Sequence, residues 1–290
     1  MDDDGLPRAR PALVACDMDG TLLEPDGAFA EGVPAGVAAL RAAGVQVVIC
    51  TGRMFCSARP RAAELGLRDG PIVCYGGALV ADLASGDWLR HEPIDGEAAA
   101  ALVRFARERG LHVNAYVDDA LFVEEEDRWT RWTVGYAQVE ATVVDDLVPV
   151  VERGPTKLVI AVEPDVAARV APEVTQRFAS RLRAATSLPH FVEITAAAVN
   201  KAATLEWVRS TLLGVAADRT LACGDGLNDV DMLKWAAVGV AVEEGAEGAR
   251  RAARMVVPRA RLGALFEELA AAPVPPREED TSVRTFPTGR

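Results

Sequence analysis

Short apolar runs that stop abruptly at polar, glycine-containing loops give this chain its pattern. Leu13-Val14-Ala15-Cys16 ends at Asp17-Met18-Asp19-Gly20-Thr21, and Val47-Val48-Ile49-Cys50 ends at Thr51-Gly52-Arg53. Thr220-Leu221-Ala222-Cys223 ends at Gly224-Asp225-Gly226. Unalternated apolar runs of this length read as strands buried on both faces. The pattern predicts strands at 12–16, 45–50 and 71–75, separated by helices at 34–43 and 58–67. That βαβαβ order implies a parallel sheet with right-handed crossovers. Residues 78–91 then read as a short hairpin around Ser85-Gly86-Asp87.

The middle of the chain changes character. An amphipathic helix is predicted at 95–109, and strands at 111–117 and 121–124 pair through Asp118-Asp119. A further helix carries Trp129, Trp132 and Tyr136 on one face. Residues 157–163 read as a strand, 165–184 as largely helical despite Pro172, and 189–194 as extended. This mixed α+β stretch reads as an inserted unit. Alternation then resumes, with helices at 200–213, 228–236, 246–253 and 262–271 and strands at 220–223, 238–242 and 255–257. The proline-rich, charged stretch from Pro273 onward is expected to be disordered.

Composition narrows the function classes. A chain of 290 residues, half of them hydrophobic, can bury two domains or one domain with a large insertion. A formal net charge of -12 argues against a nucleic-acid surface while leaving room for a local positive pocket that holds one phosphate. Charges interrupt every apolar stretch well short of the ~18 residues a membrane span needs. The acidic start, Met1-Asp2-Asp3-Asp4, lacks a signal-peptide pattern, so a cytoplasmic protein is expected. Five cysteines without paired spacing form neither a disulfide nor a zinc framework. Cys16, Cys50, Cys74 and Cys223 each finish an apolar run and are expected as small buried filler.

The chemistry concentrates at the strand ends. Asp17 and Asp19 follow a buried strand, at the edge where open α/β sheets bind ligands. Two acids that close repel one another unless a cation or a proton neutralises the pair. Thr51 and Gly52 offer a hydroxyl and a glycine-freed backbone suited to phosphate oxygens, although a plain strand-to-helix turn would look the same. Lys201 sits in the first turn of a helix opened by Asn200, against a dipole preference of roughly 0.3–1 kcal/mol. A bound anion would explain it; so would simple solvation. Asp225 occupies a tight glycine-flanked loop, whereas Asp229 could be a helix-start acid. Together Asp17, Asp19, Asp225 and Asp229 make a negative cluster suited to a hard cation such as Mg2+.

In order and spacing these residues resemble the motifs of the haloacid-dehalogenase-like phosphatase superfamily. The match is Asp-x-Asp-Gly-Thr at 17–21, Thr-Gly-Arg at 51–53, the lone Lys201, and Gly-Asp-x-x-Asn-Asp-x-x-Met-Leu at 224–233. It spans the chain except for its tail, and the long stretch between the second and third motifs looks like the α+β cap of the Cof-type branch. The resemblance implies an α/β fold with a Rossmann-like parallel-sheet core, here 1–82 and 190–272, and a cap at 83–189. It further implies Mg2+-dependent hydrolysis of a small phosphorylated metabolite, by analogy a sugar phosphate. A phosphomutase on the same scaffold, or a non-catalytic binding module, are the alternatives.

By the same resemblance, Asp17 would be the nucleophile that forms an aspartyl-phosphate. Asp19 would protonate the leaving oxygen and then deprotonate the hydrolytic water. The metal would be held by Asp17, the Asp19 main-chain carbonyl and Asp225, with Asp229 acting directly or through water. Thr51, Gly52, Lys201 and Asn228 would hold the phosphoryl oxygens. Arg53 would contact substrate or form a surface salt bridge. Two loops depart from the family pattern: Ala202 stands where glycine is common, and Tyr75-Gly76-Gly77-Ala78 where Asn-Gly-Ala is usual. Trp129, Trp132 and Tyr136 are expected to pack within the cap, the alternative being a stacking wall for a ring. Asp118-Asp119 reads as a turn rather than a metal site, and His91, His112 and His190 as structural.

Overall fold

The computed structural model describes residues 9–186 and 188–274. Positions 275–290, most of the stretch expected to be disordered, lie outside the described residues. The chain begins with β1 (Leu13–Cys16), α1 (Val33–Ala42), β2 (Gln46–Ile49), α2 (Phe55–Glu64) and β3 (Pro71–Cys74). The hairpin β4 (Leu79–Asp82) and β5 (Trp88–His91) follows. Next come α3 (Gly96–Arg107), β6 (His112–Val117), β7 (Ala120–Val123), α4 (Arg128–Ala137), β8 (Ala141–Val143) and α5 (Val148–Val151). The middle ends with β9 (Lys157–Ala161), α6 (Pro164–Phe178), β10 (Leu182–Ala185) and β11 (Phe191–Ala196). Alternation returns in α7 (Lys201–Trp207), β12 (Thr220–Gly224), α8 (Val230–Trp235) and β13 (Val238–Val242). Last are α9 (Glu247–Ala252), β14 (Met255–Val257) and α10 (Leu262–Ala271).

Five parallel strands in the order β14-β13-β12-β1-β2 form the central sheet, and a single parallel bridge, Cys50 to Val73, links β2 to β3. Helices cover both faces, which is why β1, β3 and β12 are buried throughout. Val14 and Cys16 point to the side filled by Val37, Leu40, Leu262 and Phe266. Leu13 and Ala15 point to the other, against Leu205, Val208 and Met232. Cys16 is level with both Cys223 and Ile49. That register brings the residues after β1, β2 and β12 out at one edge.

The inserted sheet has six strands in the order β10-β11-β9-β6-β7-β8, antiparallel except for β7 with β8. One face is buried under α3 and α6 through Leu102, Phe105, Leu158, Ile160, Val174, and Phe178. The period of 2 along a strand then turns Lys157 and Val159 of β9 to the opposite face, along with Phe191 and Glu193 of β11. That face looks onto the ends of the parallel strands.

Several sequence expectations shift. The helix expected over 165–184 stops at Phe178, and Leu182–Ala185 is a strand instead. Its composition favours a helix, but antiparallel pairing with β11 overrides a propensity of a few tenths of a kcal/mol per residue. β11 falls within 190–272, expected in the core, yet it is hydrogen-bonded into the inserted sheet. β5 falls within 83–189, yet it pairs with β4 beside β3. The short elements β8 and α5 escaped notice. Among the described residues, no helix is long and apolar enough to cross a membrane.

The Asp118-Asp119 turn behaves as expected and does more. Both residues take left-handed φ values, 51° and 59°, as a tight hairpin turn requires. The Asp119 carboxylate then reaches the start of α2, accepting hydrogen bonds from the amides of Phe55 (2.9 Å) and Cys56 (2.7 Å). It also accepts one from the Tyr75 hydroxyl (2.6 Å), which gives the departure at Tyr75 a structural role. Asp119→Ala would orphan those donors and is expected to cost about 1–3 kcal/mol. Urea unfolding reads this directly, and an unchanged midpoint would contradict it.

Candidate active site

Four loops meet at the carboxyl edge of the parallel sheet. Asp17 directly follows β1, and its amide donates to the Cys223 carbonyl at 2.9 Å, locking it against the end of β12. Lys201 opens α7, whose first turn is capped by the Asn200 side chain (2.8 Å to the Ala203 amide). The lysine is only 1% exposed. Its Nζ donates to Asp17 Oδ1 at 2.5 Å and to Asp229 Oδ1 at 2.6 Å. Solvation does not explain Lys201. Burial alone would pull its pKa down, but the flanking Asp17 and Asp229 carboxylates hold it well above the usual lysine value, so it remains an ammonium.

Asp229 is more than a helix-start acid. Its second oxygen accepts the amides of Asp225 (3.0 Å) and Gly226 (2.8 Å), closing the loop after β12. Asp225 accepts the Thr21 hydroxyl at 2.8 Å. The two loops touch so closely that a Cβ on Gly20, where φ is +82°, would lie 2.4 Å from Asp225 Oδ2. Only glycine fits there. Arg259, which drew no attention in the sequence, holds this loop from behind, donating to the Gly20 carbonyl at 2.9 Å and to Glu24 at 2.7 Å.

Oxygens of Asp17, Asp225 and Asp229 come within 4.8 Å of one another. Both oxygens of Asp229 are occupied, whereas among the described residues nothing donates to Asp17 Oδ2 or Asp225 Oδ2. Burial pushes Asp17 well above the usual carboxylate range; the lysine opposes this and the neighbouring acids reinforce it. Burial likewise pushes Asp225 up to about 6, opposed by the Thr21 hydroxyl and reinforced by Asp229. Three acids face one ammonium, and the residual negative charge with two open oxygens fits a hard divalent cation.

Asp19 stands apart from that cluster. Its carboxylate is gripped by Arg53 through Nε (2.7 Å) and Nη2 (2.5 Å). Arg53 is therefore neither solvent-facing nor idle: it holds Asp19 at the rim of the cavity. Thr51 is fully buried, and its hydroxyl accepts the Arg53 amide at 3.2 Å. Gly52 and Asn228 line the cavity.

The cavity measures about 330 Å3, with Asp17, Asp225 and Asn228 on its floor, Asp19 at its rim and the inserted sheet as its roof. From that roof Lys157 reaches down and donates to the Gly52 carbonyl at 2.9 Å, with Glu193 3.6 Å away. Sequence reasoning passed over both. Their signal was a charged residue at an inward position of an otherwise apolar strand. Tyr136 also lines the cavity, whereas Trp129 packs against His190 at 5.5 Å. The three histidines stay out of the site: His91 bonds Thr156, His112 bonds Asn114, and His190 meets the Val162 carbonyl. Cys16, Cys50, Cys74 and Cys223 are buried as expected.

Comparison with known proteins agrees with this geometry. The family described as haloacid dehalogenase-like hydrolase matches residues 14–269. The Bacillus subtilis 5-amino-6-(5-phospho-D-ribitylamino)uracil phosphatase YitU is 30% identical, over 84% of this chain and 91% of its own. The Escherichia coli pyridoxal phosphate phosphatase YbhA is 28% identical, over 84% of this chain and 92% of its own. The crystal structure of TM0651 from Thermotoga maritima superposes with a TM-score of 0.78 at 25% identity, covering 91% of this chain and 97% of that one. With a family match running from β1 into α10, this chain belongs to the haloacid dehalogenase-like hydrolases.

Proposed function

We propose that this protein is a Mg2+-dependent phosphatase that hydrolyses a small phosphorylated metabolite through an acyl phosphate of Asp17. The observation that carries this reading is the buried Lys201 ammonium bridging Asp17 and Asp229 beneath the cavity floor, with carboxylate oxygens of Asp17, Asp225 and Asp229 within 4.8 Å of one another. The inserted unit, from α3 through β11, serves as the cap, and the parallel sheet with its helices and the β3–β5 strands serves as the core.

Substrate phosphate enters with its oxygens toward Lys201, Asn228, and the Thr51-Gly52 loop, where an ammonium and polar donors offset its charge. Asp17, Asp225 and the Asp19 main-chain carbonyl would hold Mg2+, with Asp229 orienting them from behind. Bound there, the cation would offset the repulsion between the Asp17 carboxylate and the phosphate dianion that must approach one another. Asp17 Oδ attacks phosphorus and the bond to the leaving oxygen breaks; the Asp19 carboxyl delivers the proton that this oxygen takes. Asp19 then takes a proton from a water, whose oxygen attacks phosphorus, releasing phosphate and restoring the Asp17 carboxylate. Arg53 keeps Asp19 at the cavity rim between these two transfers.

The raised acids give a pH prediction. A carboxyl whose pKa is raised in the folded state holds its proton there more tightly than in the unfolded chain, so folding is favoured at low pH. For Asp225 that advantage is lost as pH rises from 3.8 through about 6, and Asp17 shifts in the same direction. Metal-free protein should therefore lose thermal stability across this window. Mg2+ should raise Tm more at pH 7.5 than at pH 5. Equal shifts at both values would contradict the assignment.

The function itself is tested by phosphate release from a panel of phosphate monoesters, with Mg2+ and with a chelator. Release that depends on the metal is expected. No release from any ester, or release untouched by chelation, would overturn the reading.

A further inference from the structure

The roof of the cavity carries an aromatic face that catalysis at the floor does not use. Tyr136 lines the cavity yet is 42% exposed, which is high for a ring in a folded core. One of its faces is covered by Trp132, nearly parallel at 12° with centroids 5.0 Å apart. Trp132 in turn stands edge-on to Phe191, at 4.7 Å and 87°, and Phe191 also lines the cavity. Tyr136 is thus braced from behind, with its ring held at a fixed angle. Burial and the neighbouring Asp19 carboxylate push its hydroxyl above the usual tyrosine value, so it stays neutral.

Around it the walls are apolar: Met54, Tyr116, Val159 and Leu188 complete the upper cavity. Apart from the Tyr116 and Tyr136 hydroxyls, the polar groups there are already engaged. Thr133 accepts from the Asn114 amide at 3.0 Å. Lys157 donates to the Gly52 carbonyl and lies beside Glu193. A hexose would bring several hydroxyls into this space, and each one left without a partner costs about 1–3 kcal/mol. A planar ring with few donors meets no such cost and gains contact with the braced tyrosine face.

We propose that the leaving group of this enzyme is a planar heteroaromatic alcohol, stacked on Tyr136 with Phe191 at its edge and its polar substituents met by the Lys157–Glu193 pair. This narrows the small phosphorylated metabolite to a class other than the sugar phosphate expected by analogy, and it rests on the phosphatase reading of the floor. Tyr136 and Phe191 touch the ring; Trp132 is a positioning residue that acts through Tyr136.

The test compares kcat/KM for pyridoxine 5′-phosphate, glucose 6-phosphate and acetyl phosphate with Mg2+ present. Acetyl phosphate is too short to reach the roof. The purified full chain should prefer pyridoxine 5′-phosphate to glucose 6-phosphate by at least about tenfold, the size of one stacking contact. Tyr136→Leu should lower kcat/KM for the ring ester, through KM, about tenfold more than for acetyl phosphate. Tyr136→Phe should restore the preference. Trp132→Leu should erode the same ratio, a change that mere loss of stability would not produce. Hydrolysis of acetyl phosphate with no preference for the ring ester would overturn this inference alone. So would equal losses on both substrates in Tyr136→Leu. No hydrolysis of any of the three would overturn the phosphatase reading as well.

Discussion

Asp17→Asn abolishes phosphate release while leaving the fold intact: this is the largest effect expected of any single substitution. Asparagine keeps the size of the side chain, and its amide oxygen can still accept from Lys201, 2.5 Å from Asp17 Oδ1 in the wild type. What disappears is the anionic oxygen that attacks phosphorus, together with one of the two cation-facing oxygens. Losing nucleophile and ligand at once removes a whole reaction path, and on the order of 10^4-fold or more of the rate goes with it. Removing a buried acid also relieves repulsion among Asp17, Asp225 and Asp229, so Tm should hold or rise. Single-turnover release of phosphate, alongside a thermal melt, reads both halves. Activity within about tenfold of wild type would remove Asp17 from the nucleophile's place.

Lys201→Met has the second-largest effect, on stability as well as activity. Methionine fills most of the volume of the lysine but leaves the buried Asp17 and Asp229 facing one another without a counter-charge. Breaking a buried ion pair from one side costs about 3–5 kcal/mol. The loss should shrink as pH falls, because the raised acid at Asp17 can then take up a proton in place of the missing ammonium. Urea unfolding at pH 7.5 and pH 5 separates this from simple cavity effects, which would be alike at both. Loss of turnover with unaltered stability would mean that the lysine serves the substrate alone and not the scaffold.

The parts of the site legible in the sequence were those fixed by short segments. An apolar run followed by Asp17-Met18-Asp19-Gly20 declares a strand end and its acids within a few residues, as does Gly224-Asp225-Gly226 for the next loop. Parallel pairing then puts both on the same edge without further information. Lys201 could be singled out because it stands against the helix dipole, though not what it bonds. What escaped was set by distance along the chain. Lys157 meets Gly52 across 105 positions, and Arg259 meets Gly20 across 239. Neither residue carries a local sign of its partner. The strand at Leu182–Ala185 was read as helix for the same reason, because its state is decided by β11 and not by its own residues. Arg53 had two readings open, a substrate contact and a surface salt bridge; its grip on Asp19 is a third that only the folded geometry supplies.

The most direct measurement traps the enzyme during turnover. Acid quenching followed by borohydride reduction converts an acyl phosphate to an alcohol, and peptide mass spectrometry then locates the reduced residue. Homoserine at position 17, formed only with substrate and Mg2+ present, is the predicted result. Reduction at another acid, or none at all in a preparation that is releasing phosphate, would contradict the account at its centre.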